Sequence, residues 1–219
     1  MKEANLMTAQ IGDIYKHNDK TYTLVALSGK LPFDPKNFGM EPQTSSTACW
    51  RGYWCQYAIE DNILKLDELY LCNHDGKFPP INGVCADEEE LEEAILYSKN
   101  GEEKRMVPKY HGHRAYKKIN LLIPYTGKIL VGKDFIQDYY IHMGFQRYWA
   151  YKQLIEFVFE DGILVETNDY SELAKNKRKQ MEENNTNPRY PENGNIPAFV
   201  EDSFSLDYGV KASFFDFDT

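Results

Sequence analysis

Residues 157–164 are Phe157-Val158-Phe159-Glu160-Asp161-Gly162-Ile163-Leu164. Alternating apolar residues around Asp-Gly are a strong signal for a β-hairpin, because this dipeptide tolerates the positive φ angles of a two-residue turn. A similar stretch lies 100 residues earlier: Tyr57-Ala58-Ile59-Glu60-Asp61-Asn62-Ile63-Leu64. We therefore predict two β-hairpins, over about 47–72 and 148–167, that turn at these two dipeptides.

The similarity between the two regions extends upstream of the hairpins. Ser28-Gly29-Lys30-Leu31 and Thr126-Gly127-Lys128-Ile129 each follow an apolar, strand-like run. Arg51-Gly52-Tyr53-Trp54 resembles Arg147-Tyr148-Trp149, which is one residue shorter. These matches indicate a duplicated strand-turn-hairpin unit near residues 11–72 and 116–168. The alternative is a chance resemblance between two tyrosine-rich hairpins.

Three short helices are predicted from capping patterns, over about 87–101, 134–144 and 169–183. Each begins at an Asp that is followed three residues later by Glu or Gln, which is the pattern of a capping box. The predicted fold class is α+β, predominantly antiparallel β, with two similar units and about three short helices. We expect these elements to form a single globular domain over residues 1–183.

The C-terminal segment, residues 184–219, combines acidity with aromatic residues. It has two basic and six acidic residues, a charge of 2 − 6 = −4, and seven aromatic side chains. A solvated tail seldom contains so many aromatic residues. We expect residues 198–217 to dock on the domain, with an edge strand near Val210–Phe214, and residues 184–195 to be held more weakly.

Charge and composition restrict the classes of partner. The chain has 219 residues, with 25 basic against 34 acidic residues and a net charge of −9. This balance argues against a general nucleic-acid binder, which needs a basic field, and it suits a basic protein partner. The alternative is that the acidic surface only keeps the protein soluble. No apolar run is long enough for a signal peptide or a membrane span, so we expect a cytoplasmic protein with no membrane association. The four cysteines are then expected to be reduced thiols.

Known catalytic and cofactor motifs are not evident in the sequence. The Gly-Lys steps Gly29-Lys30 and Gly127-Lys128 lack the glycine that a phosphate-binding loop requires five residues earlier, and no cofactor is expected. The cysteines lack the close pairs of a structural zinc site, so no metal is expected. His111 and His113 are the weak catalytic candidates, because residues i and i+2 of a strand point the same way. The alternative is that they are surface histidines of a loop.

Two clusters that place arginine beside large aromatic residues are the binding candidates. Such composition is typical of interaction hot spots and of grooves for sugars or peptides. The alternative is that these aromatic residues fill the core between the hairpins. The candidate residues are Trp50, Arg51, Tyr53, Trp54, Arg147, Tyr148 and Trp149.

Several stretches resemble those of uncharacterised cytosolic bacterial proteins of similar length that have no assigned activity. They are Thr47-Ala48-Cys49-Trp50-Arg51-Gly52-Tyr53, Pro124-Tyr125-Thr126-Gly127-Lys128, Asp134-Phe135-Ile136 and His142-Met143-Gly144-Phe145. The resemblance implies a bacterial source and a small accessory role. The leading hypothesis is a non-catalytic binding protein, for example an immunity-type protein that neutralises a basic toxin. The alternative hypothesis is a hydrolase that uses His111, His113 and a carboxylate.

Overall fold

The computed structural model describes residues 8–73, 75–88, 91–98, 101–108, 114–187, 189 and 195–211. Within these residues the chain is rich in strands and has few helices. The strands are β1 (Ile14–His17), β2 (Lys20–Leu27), β3 (Tyr53–Glu60), β4 (Ile63–Leu71), β5 (Leu91–Ser98), β6 (Gly101–Pro108), β7 (Arg114–Leu122), β8 (Gly127–Phe135), β9 (Tyr151–Glu160) and β10 (Ile163–Asp169). The helices are α1 (Ser171–Glu183), α2 (Ile196–Phe204) and the four-residue α3 (Tyr208–Lys211).

Eight of the described strands form one sheet in the order β10-β9-β8-β2-β1-β3-β4-β7, and β10 also meets β4. This last contact closes a seven-stranded barrel, while β7 lies beside β4 outside the ring. The prediction of a β-rich protein with few helices is confirmed. The sheet is mixed rather than antiparallel throughout, because β1 runs parallel to β3, with Ile14 opposite Gln56.

The barrel closes where the tips of the two hairpins meet, and we call this place the seam. Ile163 of β10 lies opposite Ile63 of β4. The N–H of Leu64 donates to the carbonyl of Gly162 over 2.8 Å, and the N–H of Leu164 donates to the carbonyl of Asn62 over 2.7 Å. Each turn therefore supplies a hydrogen-bond acceptor to the other hairpin.

Both predicted hairpins are confirmed, with turns at the expected dipeptides. Asp61 and Asn62 have φ angles of 51° and 62°, and Asp161 and Gly162 have φ angles of 48° and 80°. Strand β3 begins only at Tyr53, because Gly52 has a φ of 76° and its Cα lies against the backbone of Gln43. The chain before β9 forms a 3-10 turn over Tyr148–Ala150.

Replacing the second residue of each turn by that of the other turn should change the stability of the protein by different amounts. A Cβ at position 162 would collide with the carbonyl oxygen of Ile123. Gly162→Asn should therefore lower the free energy of unfolding by about 1–3 kcal/mol, the usual cost of overpacking. Asn62→Gly, the matched control, should change it by less than about 1 kcal/mol. Urea denaturation measures both values, and equal values for the two variants would contradict this account.

The internal duplication remains a prediction. Strand β2, which ends before Ser28, lies between β8 and β1, whereas β7, which ends before Thr126, lies at the edge of the sheet beside β4. The strands that precede the two hairpins therefore occupy different places in the sheet. The hairpins and their seam are the parts that correspond at an offset of 100 residues.

The helix predicted over 87–101 is wrong. The described part of this region forms β5, which pairs in register with β6 as a separate two-stranded sheet. Its residues favour helices when judged singly, yet β5 pairs with β6 along its whole length, from Leu91 opposite Pro108 to Ser98 opposite Gly101. Tertiary pairing has overridden local propensity here.

The helix predicted over 134–144 is also wrong, and the helix predicted over 169–183 is confirmed. Phe135 continues the pairing of β8 with Tyr151 of β9, and Asp134 has a non-helical φ of 58°. Only a 3-10 turn, Gln137–Tyr139, follows. Helix α1 occupies Ser171–Glu183, and Asp169 accepts a 2.8 Å hydrogen bond from the N–H of Ser171 at its start.

The buried residues form two clusters. The first includes Tyr15 and Tyr57 of the barrel strands and Tyr116 of β7, each fully buried. The second joins Trp149 and Leu154 to Ala174 and Met181 of α1, among others. No helix in the described parts of the chain is long and apolar enough to cross a membrane.

The edge strand predicted near Val210–Phe214 is not found where the structure describes this stretch. Val210 and Lys211 belong to the short helix α3, and residues 212–214 lie outside the described residues. A parallel bridge between Leu27 and Asp207 attaches the chain to β2 just before this helix.

Candidate functional site

A cleft of about 400 Å³ lies between the barrel and residues 195–211 of the C-terminal segment. Its lining is mostly apolar and includes one carboxylate and one guanidinium group. The residues used below are Leu27, Trp50, Arg51, Phe204, Leu206 and Asp207. We name it the Trp50 cleft.

Trp50 is the most exposed aromatic residue that the prediction had singled out, with 46% of its surface accessible. Its ring stacks on Phe204 of α2, with centroids 4.7 Å apart and planes 7° from parallel. The backbone N–H of Trp50 donates to Oε1 of Gln10 over 3.1 Å, and its carbonyl accepts from Thr44 over 2.8 Å. The indole is thus held in place while much of its surface stays open to the cleft.

Arg51 lies in the cleft wall, but its charge is matched by a buried carboxylate. Its two terminal nitrogens donate to the two oxygens of Asp13 over 3.2 and 2.7 Å. Asp13 is fully buried and also accepts from the N–H of Cys55 over 2.9 Å. Burial lowers the pKa of Arg51, but the charge of Asp13 more than offsets this effect and raises the pKa above its usual value. Arg51 is therefore charged, and its ion pair with Asp13 adds little net charge to the cleft.

Arg147 contacts helix α2 of the C-terminal segment. It forms an ion pair with Asp202 and donates to the hydroxyl of Ser203 over 3.2 Å. Its guanidinium also lies 5.0 Å from the ring centroid of Phe199. Burial lowers the pKa of Arg147 to about 10, so the side chain remains charged at neutral pH. Arg147 positions α2, and with it Phe204, rather than contacting the open cleft.

Two further contacts attach the segment after α2. The N–H of Leu27 donates to the carbonyl of Leu206 over 2.8 Å. The hydroxyl of Tyr208 donates to Glu156, a fully buried carboxylate on β9. The side-chain amide of Asn168 donates to the other oxygen of Glu156 over 3.2 Å. The chain on both sides of Phe204, which forms the outer wall of the cleft, is therefore bound to the barrel.

The other predicted binding residues lie elsewhere. Tyr53 is buried, and its hydroxyl donates to the carbonyl of Phe33 over 3.3 Å. Trp54 stacks on Tyr70, with centroids 4.8 Å apart and planes 6° from parallel. Tyr148 and Trp149 pack in the core cluster under α1. Of the seven candidates, Trp50 and Arg51 line the cleft, and Arg147 holds α2 beside it. The other four do not line the cleft, although Arg51 lies 4.8 Å from the ring centroid of Tyr53 and Arg147 lies 5.9 Å from that of Trp149.

Three residues of this site were not singled out from the sequence. Phe204 belongs to the aromatic C-terminal segment, and the aromatic content of that segment was the available signal. Asp207 was counted only as part of its acidity. Asp13 had no signal, because its partners Arg51 and Cys55 are distant in sequence and no local pattern relates them.

The cysteines near the site are not poised as nucleophiles. Burial raises the pKa of Cys49 to about 11 and that of Cys55 well above its ordinary value, so both thiols are protonated at neutral pH. Only a thiolate is strongly nucleophilic. Within the described ranges, no three His, Cys, Asp or Glu residues are grouped so that they could hold a metal ion. His111 and His113 lie outside the described residues.

Comparison of this chain with models of known families, with curated proteins and with solved structures finds no match. A half-exposed tryptophan, apolar walls and a carboxylate are the components of a binding surface.

Proposed function

We propose that this chain is a non-catalytic binding protein that captures a basic protein partner in the Trp50 cleft. The observation that carries the proposal is the half-exposed indole of Trp50, held by Phe204 at a cleft of about 400 Å³. The partner would supply a lysine or arginine whose aliphatic stem fills the apolar part of the cleft. Its charged head would lie over the indole ring or near Asp207.

The chemistry of the cleft supports a cationic group over an anionic one. A cation over the face of a tryptophan ring is attracted by about 0.5–2 kcal/mol. Because Asp13 offsets the charge of Arg51, the cleft wall does not repel a second cation. The net charge of −9 would also steer a basic partner towards the protein.

The specific form of the proposal is an immunity-type protein of the bacterial cytosol that neutralises a basic toxin. Such a protein acts by occupying its target, so it needs complementary charge and an anchoring pocket rather than catalytic groups. The alternative of a hydrolase rests on His111 and His113, and no contact among the described residues adds to it.

Trp50→Ala should weaken the binding of a short peptide that contains lysine and leucine by at least about tenfold, as expected of an aromatic hot spot. Trp54→Ala is a matched control, because Trp54 has the same kind of stacked partner but does not line the cleft. Isothermal titration calorimetry measures both affinities. The proposal is wrong if Trp50→Ala binds as the parent does, or if a peptide with glutamine in place of lysine binds equally well.

A further inference from the structure

A second groove, of about 430 Å³, lies at the seam where the two hairpin tips meet. Three large apolar side chains beside it are exposed: Ile63 by 37%, Leu122 by 61% and Ile163 by 53%. Pro124 also lines the groove. We call these four residues the hairpin-tip patch. Contiguous apolar surface of this kind on a folded protein commonly marks an interaction site.

Backbone hydrogen bonds connect the chain segments under the hairpin-tip patch. Besides the two hydrogen bonds of the seam, the N–H of Ile123 donates to Leu64 over 3.0 Å. The N–H of Gly162 donates to Tyr125 over 2.8 Å. The groove is therefore preformed, and a ligand would not have to order its floor on binding.

Acidic residues surround the apolar centre. Glu60 lies directly opposite Ile63, and Glu160 lies directly opposite Ile163, so each glutamate shares a sheet face with an exposed isoleucine. Asp61 and Asp161 occupy the turns themselves, and all four acidic residues are exposed. Lys65 pairs with Glu60 over 2.8 Å and offsets part of this charge. The surroundings of the patch remain acidic.

We propose that the hairpin-tip patch is a second docking surface, and that its occupant is a cationic amphipathic segment of a partner protein. Apolar side chains of that segment fill the groove, and its lysines or arginines meet the four acidic residues. A second copy of this chain fits poorly, because a symmetric contact would bring two sets of like charges together. The proposal goes beyond the Trp50 cleft, with which the patch shares no lining residue.

The test measures the binding of a decapeptide of alternating leucine and lysine residues. The protein is the full chain with Trp50→Ala, so that the Trp50 cleft does not contribute to binding. Adding Leu122→Ser and Ile163→Ser should weaken binding at least tenfold. Adding Met106→Ser, an equally exposed apolar residue on β6, should leave the affinity unchanged. Affinity should also fall as salt is raised. If the double serine variant melts at a lower temperature, Glu160→Gln is used instead and should weaken binding at least threefold.

Each other outcome overturns the proposal. Undiminished binding by the serine variant, or equal binding of a decapeptide with glutamate in place of lysine, shows that the patch does not select cationic segments. Dimerisation that the serine substitutions abolish, measured by sedimentation, assigns the patch to a second copy. A peptide that loses all binding with Trp50→Ala alone leaves the proposed function intact and rejects this one.

Discussion

Asp13→Ala is expected to lower the free energy of unfolding by about 3–5 kcal/mol, the usual effect of removing one partner from a buried ion pair. The substitution leaves the guanidinium of Arg51 without its carboxylate, and it also leaves the N–H of Cys55 without its acceptor. Arg51 has only 19% of its side chain exposed, so water cannot readily replace both lost bonds. Urea denaturation followed by circular dichroism measures the change.

The exposed ion pair between Glu93 and Lys104 provides the control for Asp13→Ala. Its 2.7 Å distance equals the shorter contact of the buried pair, but its side chains are 56% and 67% exposed. Glu93→Ala should therefore leave the free energy of unfolding almost unchanged, because solvent screens such a pair. A similar loss in both variants would show that distance, and not burial, determines the effect.

Truncation of the chain after Asn195 is expected to lower the free energy of unfolding by at least about 3 kcal/mol. It removes Asp202 and Ser203 from Arg147, Phe204 from Trp50 and Tyr208 from Glu156. Arg147 then remains as a charge without its described partners, and the apolar surface under α2 faces water. The truncated chain should bind a hydrophobic dye and should melt at a lower temperature.

A second substitution separates the charge effect from the loss of apolar contacts. In the truncated chain Arg147→Met should restore about 1–3 kcal/mol, because an unpaired polar group no longer occupies a mostly apolar site. In the full chain the same substitution should destabilise, because Asp202 loses its ion pair. A change of the same sign in both chains would contradict the role assigned to Arg147.

The parts of the fold that follow from local chemistry were predictable. Asp161-Gly162 and Asp61-Asn62 determine their turns through their own backbone preferences, and Asp169 marks the start of α1. The helix predicted over 87–101 failed because residues such as Glu93 are helix formers whose backbone here pairs with a second strand, with Glu93 opposite Met106. The parallel pairing of β1 with β3 joins segments about 40 residues apart, and no local pattern encodes it.

The same difference between local and long-range features applies to the candidate site. Trp50, Arg51 and Arg147 were found because large aromatic residues beside arginine are a local composition. Their partners Asp13, Asp202 and Phe204 come from the two ends of the chain, and only the folded structure brings them together. Neither the ionised state of the buried arginines nor the open face of Trp50 can be inferred without those partners.

The seam has a consequence for how this chain tolerates change over evolution. Surface turns are usually the places where insertions and deletions are accepted. Here Asn62 and Gly162 each supply the carbonyl that holds the opposite hairpin, so the length of one turn determines whether the other can be anchored. An added residue in either turn would displace its acceptor and open the ring. Although the two turns lie 100 residues apart in sequence, the number of residues in one therefore constrains the number in the other.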